Sequence, residues 1–510
     1  MVTATTPLAA RGSLAAAVAF AQREPGKVLA LVLSLHVFLW TSIPILVSPN
    51  LQLDLVEDLA LGKEWQLGYW KDPPLSWWAG EAAYRLTGQI DAVYALGALA
   101  VTICLYGVWL LARETIGAFS GLIAVLALEG VHYYNFSAVK FNTDQMQLPF
   151  WAFTGLFFYR AIKRGRMLDW ILAGTFLAGA FWSKYAAFVL ASTLGLFLLV
   201  DREARRAWRT PGPYLMALAF AVVIGPNAWW LVKHDFLPFQ YVDMRAKIAV
   251  HWYQYLTFPL LWIGSQALDL LLAAGLIALA YWDGKFRARN LSDGAAFDRR
   301  CVTWLALGPF LTTTLIFAIA GRLVVAMWGY PLWLFAPVAA LMWIDPVSDA
   351  VRLRRFAGAF VIIFFAMPII YAAVEVGEPF VRDRPKADQY PGRLLAQTLT
   401  RDWHDRYGTS LTYVGGSEFL ANNVAVYSPD HPHVVAHGET RLSPWIDPAE
   451  LRRRGAVLVW QGGQLGSDIK TLHANFGDFQ IEPALVLPRQ TWHPVSPESI
   501  SYAFVPPRPN

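Results

Sequence analysis

A chain of 510 residues with 56% hydrophobic and only 15% charged side chains, including 23 Trp and 31 Phe, lacks the polar surface of a soluble protein, for which about 25% charged residues is usual. That deficit excludes water as the main solvent and points to lipid. The net charge of +5 is modest and fits basic cytoplasmic loops better than nucleic-acid binding, so no nucleic-acid partner is expected.

Arg11, Arg23 and Lys27 precede an apolar stretch at 28–47 that is as long as a full span and has no small-residue cleavage site nearby. It reads as an anchored first helix, a signal peptide being the alternative. Apolar runs place eleven spans near 28–47, 90–112, 116–133, 147–162, 168–184, 186–200, 212–233, 256–281, 301–319, 323–343 and 355–374, with up to thirteen allowed. Cys104 and Cys301 fall inside such runs and read as small buried hydrophobes, neither metal ligands nor half of a disulfide.

Charge gives an independent test of the topology. With a cytoplasmic N-terminus, alternate gaps must be cytoplasmic. They carry Arg113, RAIKRGR at 160–166, DREARRAWR at 201–209, DGKFRARN at 283–290 and VRLRR at 351–355. These are the most basic short loops, as the positive-inside rule requires. The loops 48–89, 134–146 and 234–255, and the tail from about 376, then lie outside. The tail alternates β-like runs (410–416, 423–429, 456–462, 483–488) with helical stretches near 390–407 and 447–454, which predicts a small α/β domain. The fold class is therefore an α-helical polytopic membrane protein with a small C-terminal α/β domain. Its parts are a cytoplasmic segment 1–27, a transmembrane domain 28–375 and an outer domain 376–510.

The first outer loop is the densest polar feature. Asp54, Glu57 and Asp58 stand at i, i+3 and i+4, which places three carboxylates on one helix face. Lys71, Asp72, Pro73 and Pro74 form a rigid turn among Trp65, Trp70, Trp77 and Trp78. Interfacial tryptophans commonly anchor a protein in the membrane, while aromatic faces beside carboxylates also suit sugar rings; both readings stay open for Trp65, Tyr69 and Trp70. Lys140 and Asp144 precede the fourth span. Lys184, with Tyr185 after it, sits between two apolar runs, and His234, Asp235, Arg245, Lys247 and Arg322 complete the set. The cations among these are exceptions to the positive-inside pattern. A positive outer rim facing acidic loops suits an anionic ligand, most simply a phosphate; pairing with the loop acids is the alternative.

These residues resemble a known family. The matching elements are Asp54-x-x-Glu57, Lys71-Asp72-Pro73-Pro74-Leu75 followed by Trp78, Thr143-Asp144, Ser183-Lys184-Tyr185, and Pro226-Asn227 with Trp230 ahead of His234-Asp235. Their order resembles the polyprenyl-phosphate-dependent glycosyltransferases of the GT-C superfamily. The type is that of family 39, which includes protein O-mannosyltransferases and the bacterial aminoarabinose and galacturonic acid transferases that modify lipopolysaccharide. One departure is that many members have an Asp-Glu pair where this chain has Asp54-Leu55, the second acid falling at Glu57.

The resemblance implies a GT-C domain with a catalytic loop at 48–89 and a donor sugar on a polyprenyl phosphate. Lys184 and one of Arg245, Lys247 or Arg322 would hold the phosphate. Asp54 would act as base, with Glu57 or Asp144 positioning it or the acceptor, and the anomeric centre would be inverted. Lys71, Asp72, Tyr185 and His234 are the further substrate-binding candidates. The implied location is the bacterial inner membrane, with the active face and tail periplasmic, and the acceptor is lipid A, core glycan, another lipid or a protein. No cofactor is called for; a divalent metal at the acidic face is open, though the spacing does not indicate one. A lipid or glycan transporter or flippase is the competing class and predicts repeats and mid-membrane charges, neither of which the sequence displays. A receptor or assembly subunit is the third.

Overall fold

The computed structural model describes residues 8–245, 247–282, 293–344, 349–462, 468–477 and 479–508. A helix stands at each of the eleven expected places. In chain order, α1 (Leu8–Arg23) leads into α2 (Pro25–Val47), and two loop helices follow, α3 (Leu53–Gly62) and α4 (Leu75–Thr87). Next come α5 (Tyr94–Thr115), α6 (Ala118–Leu128), α7 (Thr143–Arg164), α8 (Met167–Ser183), α9 (Phe188–Val200), the short α10 (Arg202–Arg206) and α11 (Gly212–Lys233). Helix α12 (Leu237–Arg245) lies on the outer loop before α13 (Gln254–Tyr281), α14 (Asp293–Ile319), α15 (Ala336–Trp343) and α16 (Ala350–Val381).

Six of these are long and apolar enough to cross a membrane, or seven if the pair bent by 82° at Asp201 is one span. Helix α6 has 11 residues, too few for a 30 Å core at 1.5 Å per residue. The expected span 323–343 is broken: β2 (Arg322–Leu323) pairs with β1 (Lys247–Ile248), a 3-10 turn follows, and only α15 is helical. The chain is a multi-pass membrane protein by these helices.

Within the bundle α7 packs on α5 and α8, and α8 on α11. Small residues set how close they come. A Cβ on Gly97 would stand 2.0 Å from the Ala138 carbonyl oxygen, and one on Gly174 2.2 Å from that of Met216. Such close approach of backbones is the usual device where apolar lipid removes the hydrophobic drive between helices. Both cysteines are fully buried and unpaired, as expected.

After α16 the chain forms a six-stranded mixed sheet flanked by α17 (Gly392–Tyr407), α18 (Glu418–Tyr427), α19 (Pro448–Arg454) and α20 (Asp468–Phe476). The strands are β3 (Tyr413–Gly416), β4 (His433–Val435), β5 (Ala456–Gln461), β6 (Gln480–Ile481), β7 (Leu485–Leu487) and β8 (Glu498–Val505). β4, β3 and β5 run parallel, joined by helical crossovers as parallel pairs require, and β8 closes antiparallel on β5. The expected strand at 423–429 is a helix instead. Leu420, Val424 and Tyr427 recur at helical spacing and pack inward, and that period outweighs the β-branched content. The boundary expected at 376 falls slightly later, since α16 continues to Val381.

The sheet unit does not stand apart from the bundle. Leu55, Leu59 and Trp77 of the first loop share one apolar core with Leu395, Trp403 and Val424. Polar contacts reinforce it: the Leu51 N–H donates to the Tyr427 hydroxyl at 2.9 Å, and Gln52 Nε2 donates to Asp388 at 3.0 Å.

Candidate active site

The site is assembled where α3, the turn 71–74, the start of α7, the end of α8 and α18 meet. Helix α3 lies flat against α4 because glycines allow it. A Cβ on Gly62 would stand 2.2 Å from the Trp77 carbonyl oxygen, and one on Gly80 2.9 Å from Asp58 Cβ. The loop between the two helices is pinned by Tyr69, whose hydroxyl donates to Leu61 O at 2.8 Å.

Asp54, Glu57 and Asp58 all line one polar cavity of about 140 Å³, as their i, i+3, i+4 spacing predicts, together with Lys71, Asp72, Asn142, Asp144, Lys184, Tyr241 and Trp328. Asp54 is held by Asn142 Nδ2 at 2.7 Å. Asn142 is also the N-cap of α7: its Oδ1 accepts from the Asp144 N–H at 2.8 Å, while Gln145 Oε1 accepts from the Asn142 N–H at 3.1 Å. The capping box thus fixes the side chain that fixes Asp54.

Glu57 accepts from Lys71 Nζ at 2.5 Å, and the same ammonium reaches Glu418 of α18 at 3.2 Å. This settles the geometry of the departure at position 57: the second acid of the motif holds Lys71. Lys184 caps the end of α8 in an extended conformation, and its Nζ meets Asp144 Oδ2 at 2.7 Å.

Burial sets the protonation of this cluster. It raises the Asp54 carboxyl above its ordinary value, against the pull of Asn142, Lys71 and Lys140. It raises Glu57 to about 8 despite Lys71, with Glu418 adding to the rise. Burial works to lower the Lys71 ammonium, yet Glu57 and Glu418 hold it above its usual value. Two carboxyls on one ammonium explain both directions: one balances the charge, and the other tends to keep its proton. Asp58 is pushed well up, by burial first and then by Glu57, and its Oδ2 has no hydrogen-bond partner among the described residues. Burial brings Asp72 to about 6, opposed by Lys184 and Lys71.

Two larger cavities meet the polar one. An apolar cavity of about 440 Å³ runs from Lys184, Asp72 and Asp144 along Tyr185, Phe181, Phe220 and Phe317. On the other side a cavity of about 520 Å³ reaches Asp54 from Lys140, Arg384 and Lys386. Among the described residues no group of three or more His, Cys, Asp and Glu is placed to hold a metal ion.

Comparison with known proteins decides the fold. Residues 71–230 match the family model described as dolichyl-phosphate-mannose-protein mannosyltransferase. The crystal structure of ArnT from Cupriavidus metallidurans bound to undecaprenyl phosphate superposes with a TM-score of 0.59 at 12% identity, covering 94% of this chain and 99% of that one. The chain has the GT-C fold. A cryo-EM structure of the arabinofuranosyltransferase AftD from Mycobacteria shares this GT-C fold with a TM-score of 0.50 at 14% identity, covering 94% of this chain and 42% of that one. In sequence, the lipid A galacturonosyltransferase RgtD of Rhizobium johnstonii is 29% identical over 177 residues. That match takes in 33% of this chain and only 36% of the relative.

Within this GT-C frame the expected residues divide. Asp54, Glu57, Lys71, Asp72, Asp144 and Lys184 converge on the polar cavity, and Tyr185 lines the apolar one. His234, Lys247, Arg322, Trp65 and Tyr69 are not among the residues that line the polar cavity. His234 stacks on Trp230 at 4.2 Å between ring centroids, with Nδ1 2.9 Å from Trp230 O. Lys247 and Arg322 lie in the β1–β2 ladder, whose pairing fixes their backbones. Trp65 is exposed, lies tilted against Trp78 and carries the Arg85 guanidinium over its ring. Tyr69 spends its hydroxyl on Leu61. The side chain of Arg245 lies outside those described. Asn227 also lines the apolar cavity, and its Nδ2 links Leu67 O at 2.7 Å to the Tyr185 hydroxyl at 3.1 Å. Sequence reasoning missed Asn142, Tyr241, Trp328 and Glu418. Only Asn142 carried a local signal, as Asn three residues ahead of Gln145 at a helix start.

Proposed function

We propose that this protein is a membrane glycosyltransferase that moves a sugar from a polyprenyl-phosphate donor to a hydroxyl of an envelope glycolipid. Transfer occurs on the periplasmic face of a bacterial inner membrane. The observation that carries this is the junction at Lys184, where an apolar cavity sized for a lipid chain opens into an acidic polar cavity. ArnT, whose fold the chain shares, is seen with undecaprenyl phosphate, and RgtD is named for lipid A; both support this class of donor and acceptor.

In this reading the donor's prenyl chain lies along Phe181, Phe220 and Phe317, and its phosphate meets Lys184 and Lys71. The acceptor enters through the cavity of Lys140 and Arg384 and presents its hydroxyl to Asp54. The acceptor oxygen then bonds to the anomeric carbon as the bond from that carbon to the phosphate oxygen breaks. The bonding pair leaves with the phosphate, and the acceptor proton passes to Asp54. Attack opposite the leaving group inverts the centre. The phosphate diester carries one negative charge before the step and the monoester gains a second after it. Fixed ammonium groups therefore stabilise the transition state more than the ground state, which is what lowers a barrier. Burial raises Asp54, making it a stronger base for a hydroxyl of high pKa.

The test is sugar transfer in purified protein, with lipid-linked sugar and lipid A as substrates. Asp54→Asn should lower turnover by about 10²–10⁴ with donor binding retained. Lys184→Ala should weaken binding of the polyprenyl phosphate itself. Full turnover in Asp54→Asn, with the protein folded and inserted, would remove the catalytic role.

A further inference from the structure

The groove between α13 and α16 lies at the far end of the bundle from the acidic cluster and encloses about 490 Å³. That volume is within the range of ligand sites, roughly 300–1,000 Å³. Its two walls are graded in the same sense. On α16, Arg352, Arg355, Ala359 and Ile363 share one helix face and pass from cations to apolar groups. On α13, Gly275 and Leu279 lead to Trp282 at the end where the arginines stand. The floor is open, because a Cβ on Gly275 would meet no atom within 4 Å.

The two arginines are differently employed. Arg352 donates to the Trp282 carbonyl and pairs with Asp349 at 3.0 Å, so it is fixed at the rim. Arg355 is exposed and, among the described residues, has no ion-pair or hydrogen-bond partner. An unbalanced guanidinium at the mouth of an apolar groove is complementary to a phosphate bearing an acyl chain. Basic pockets between membrane helices and an interfacial Trp mark the level of anionic headgroups.

We propose that this groove holds one anionic glycerophospholipid of the surrounding membrane. Its phosphate rests on Arg355 and Arg352 and an acyl chain lies along Gly275, Leu279 and Ile363. Under the sidedness given above this lipid belongs to the inner leaflet, and the site is separate from the donor cavity at Lys184.

Native mass spectrometry of the full-length protein in detergent tests this, with phosphatidylglycerol and phosphatidylcholine as probes. The expected result is a single saturable phosphatidylglycerol adduct, formed at about tenfold lower concentration than any phosphatidylcholine adduct. Arg355→Ala, which removes the charge, and Gly275→Leu, which fills the floor, should each weaken it by about tenfold. Lys184→Ala should leave it unchanged. Equal retention of the two lipids overturns the proposal, as does an adduct unaffected by both groove variants. So does displacement of phosphatidylglycerol by polyprenyl phosphate at equal concentration, or loss of the adduct in Lys184→Ala. Those last outcomes would assign the lipid to the donor cavity. Elution of each variant as a monodisperse protein separates lost lipid from lost fold.

Discussion

At the scale of single residues, the site rests on Asn142, which caps α7 with one end of its amide and holds Asp54 with the other. Asn142→Ala removes both contacts. Loss of the cap costs about 1 kcal/mol, while loss of the hold on Asp54 should lower turnover by about 10–100-fold. Asn142→Asp keeps the cap but sets a second carboxylate against Asp54. It should move the acidic limb of the pH–rate profile upward, and an unmoved limb would mean that Asp54 does not titrate in catalysis. Asp72 gives a test of a different kind. Its carboxyl is raised from 3.8 to about 6, so the folded state holds a proton there that the unfolded chain has lost. The stabilisation is complete below about 4 and disappears as pH rises through about 6. Subtracting the thermal unfolding curve of Asp72→Asn from that of the wild type should leave a difference that falls over this window and is flat above it. Much at this scale was legible, since the spacing of Asp54, Glu57 and Asp58 put them on one face. The role of Glu57 was not, because its partner Lys71 is fourteen residues on and the second partner of that lysine lies on α18.

At the scale of elements, α18 is where sequence reading and structure part. Its Val-Ala-Val-Tyr content favours a strand locally, but as a helix it is buried from Leu420 to Val426 and joins the core shared with the first loop. Tertiary packing made that choice, and with it the first residue of α18, Glu418, came to rest against Lys71. A helix N-terminus stabilises an acid in its first turn, so Glu418 is held there partly by its own helix. Glu418→Gln removes one of the two carboxyls on Lys71. The remaining pair with Glu57 then balances, so the proton shared by the cluster should leave at lower pH, and the pH–rate profile should broaden on its acidic side. Turnover at high pH should change by less than about tenfold, since Glu418 does not touch the reacting groups in the mechanism above. A fall of 10³ or more at every pH would instead make Glu418 part of the machinery. The broken segment at 323–343 teaches the same lesson. Its apolar content fits a span, but Gly321 at φ 61 turns the chain, and Arg322 enters a β pairing with Ile248 that no hydropathy window registers.

At the scale of the whole molecule, the basic loops and the position of the α/β unit make one claim: the site and the sheet share a side, and the end of α9 and the start of α14, joined by Arg300 and Asp201, face the other. The structure ties the sheet to the first loop through a common apolar core, so whichever side holds one holds both. Positive-inside counting predicts that α10, with Arg202, Arg205 and Arg206, faces the cytoplasm. The chain is well suited to a direct test because both of its cysteines, Cys104 and Cys301, are 0% exposed and should not react. Thr409, exposed between α17 and β3, and Arg205, exposed on α10, offer reporter positions on opposite faces. A membrane-impermeant maleimide applied to intact spheroplasts should label Thr409→Cys and leave Arg205→Cys unlabelled until the membrane is permeabilised. The reverse pattern would place the acidic cavity in the cytoplasm, where nucleotide sugars rather than lipid-linked ones are the ready donors. Equal labelling of both would break the alternation on which the loop charges were read. Because the common core binds loop to sheet, a single reporter on the sheet also fixes the side on which Asp54 works.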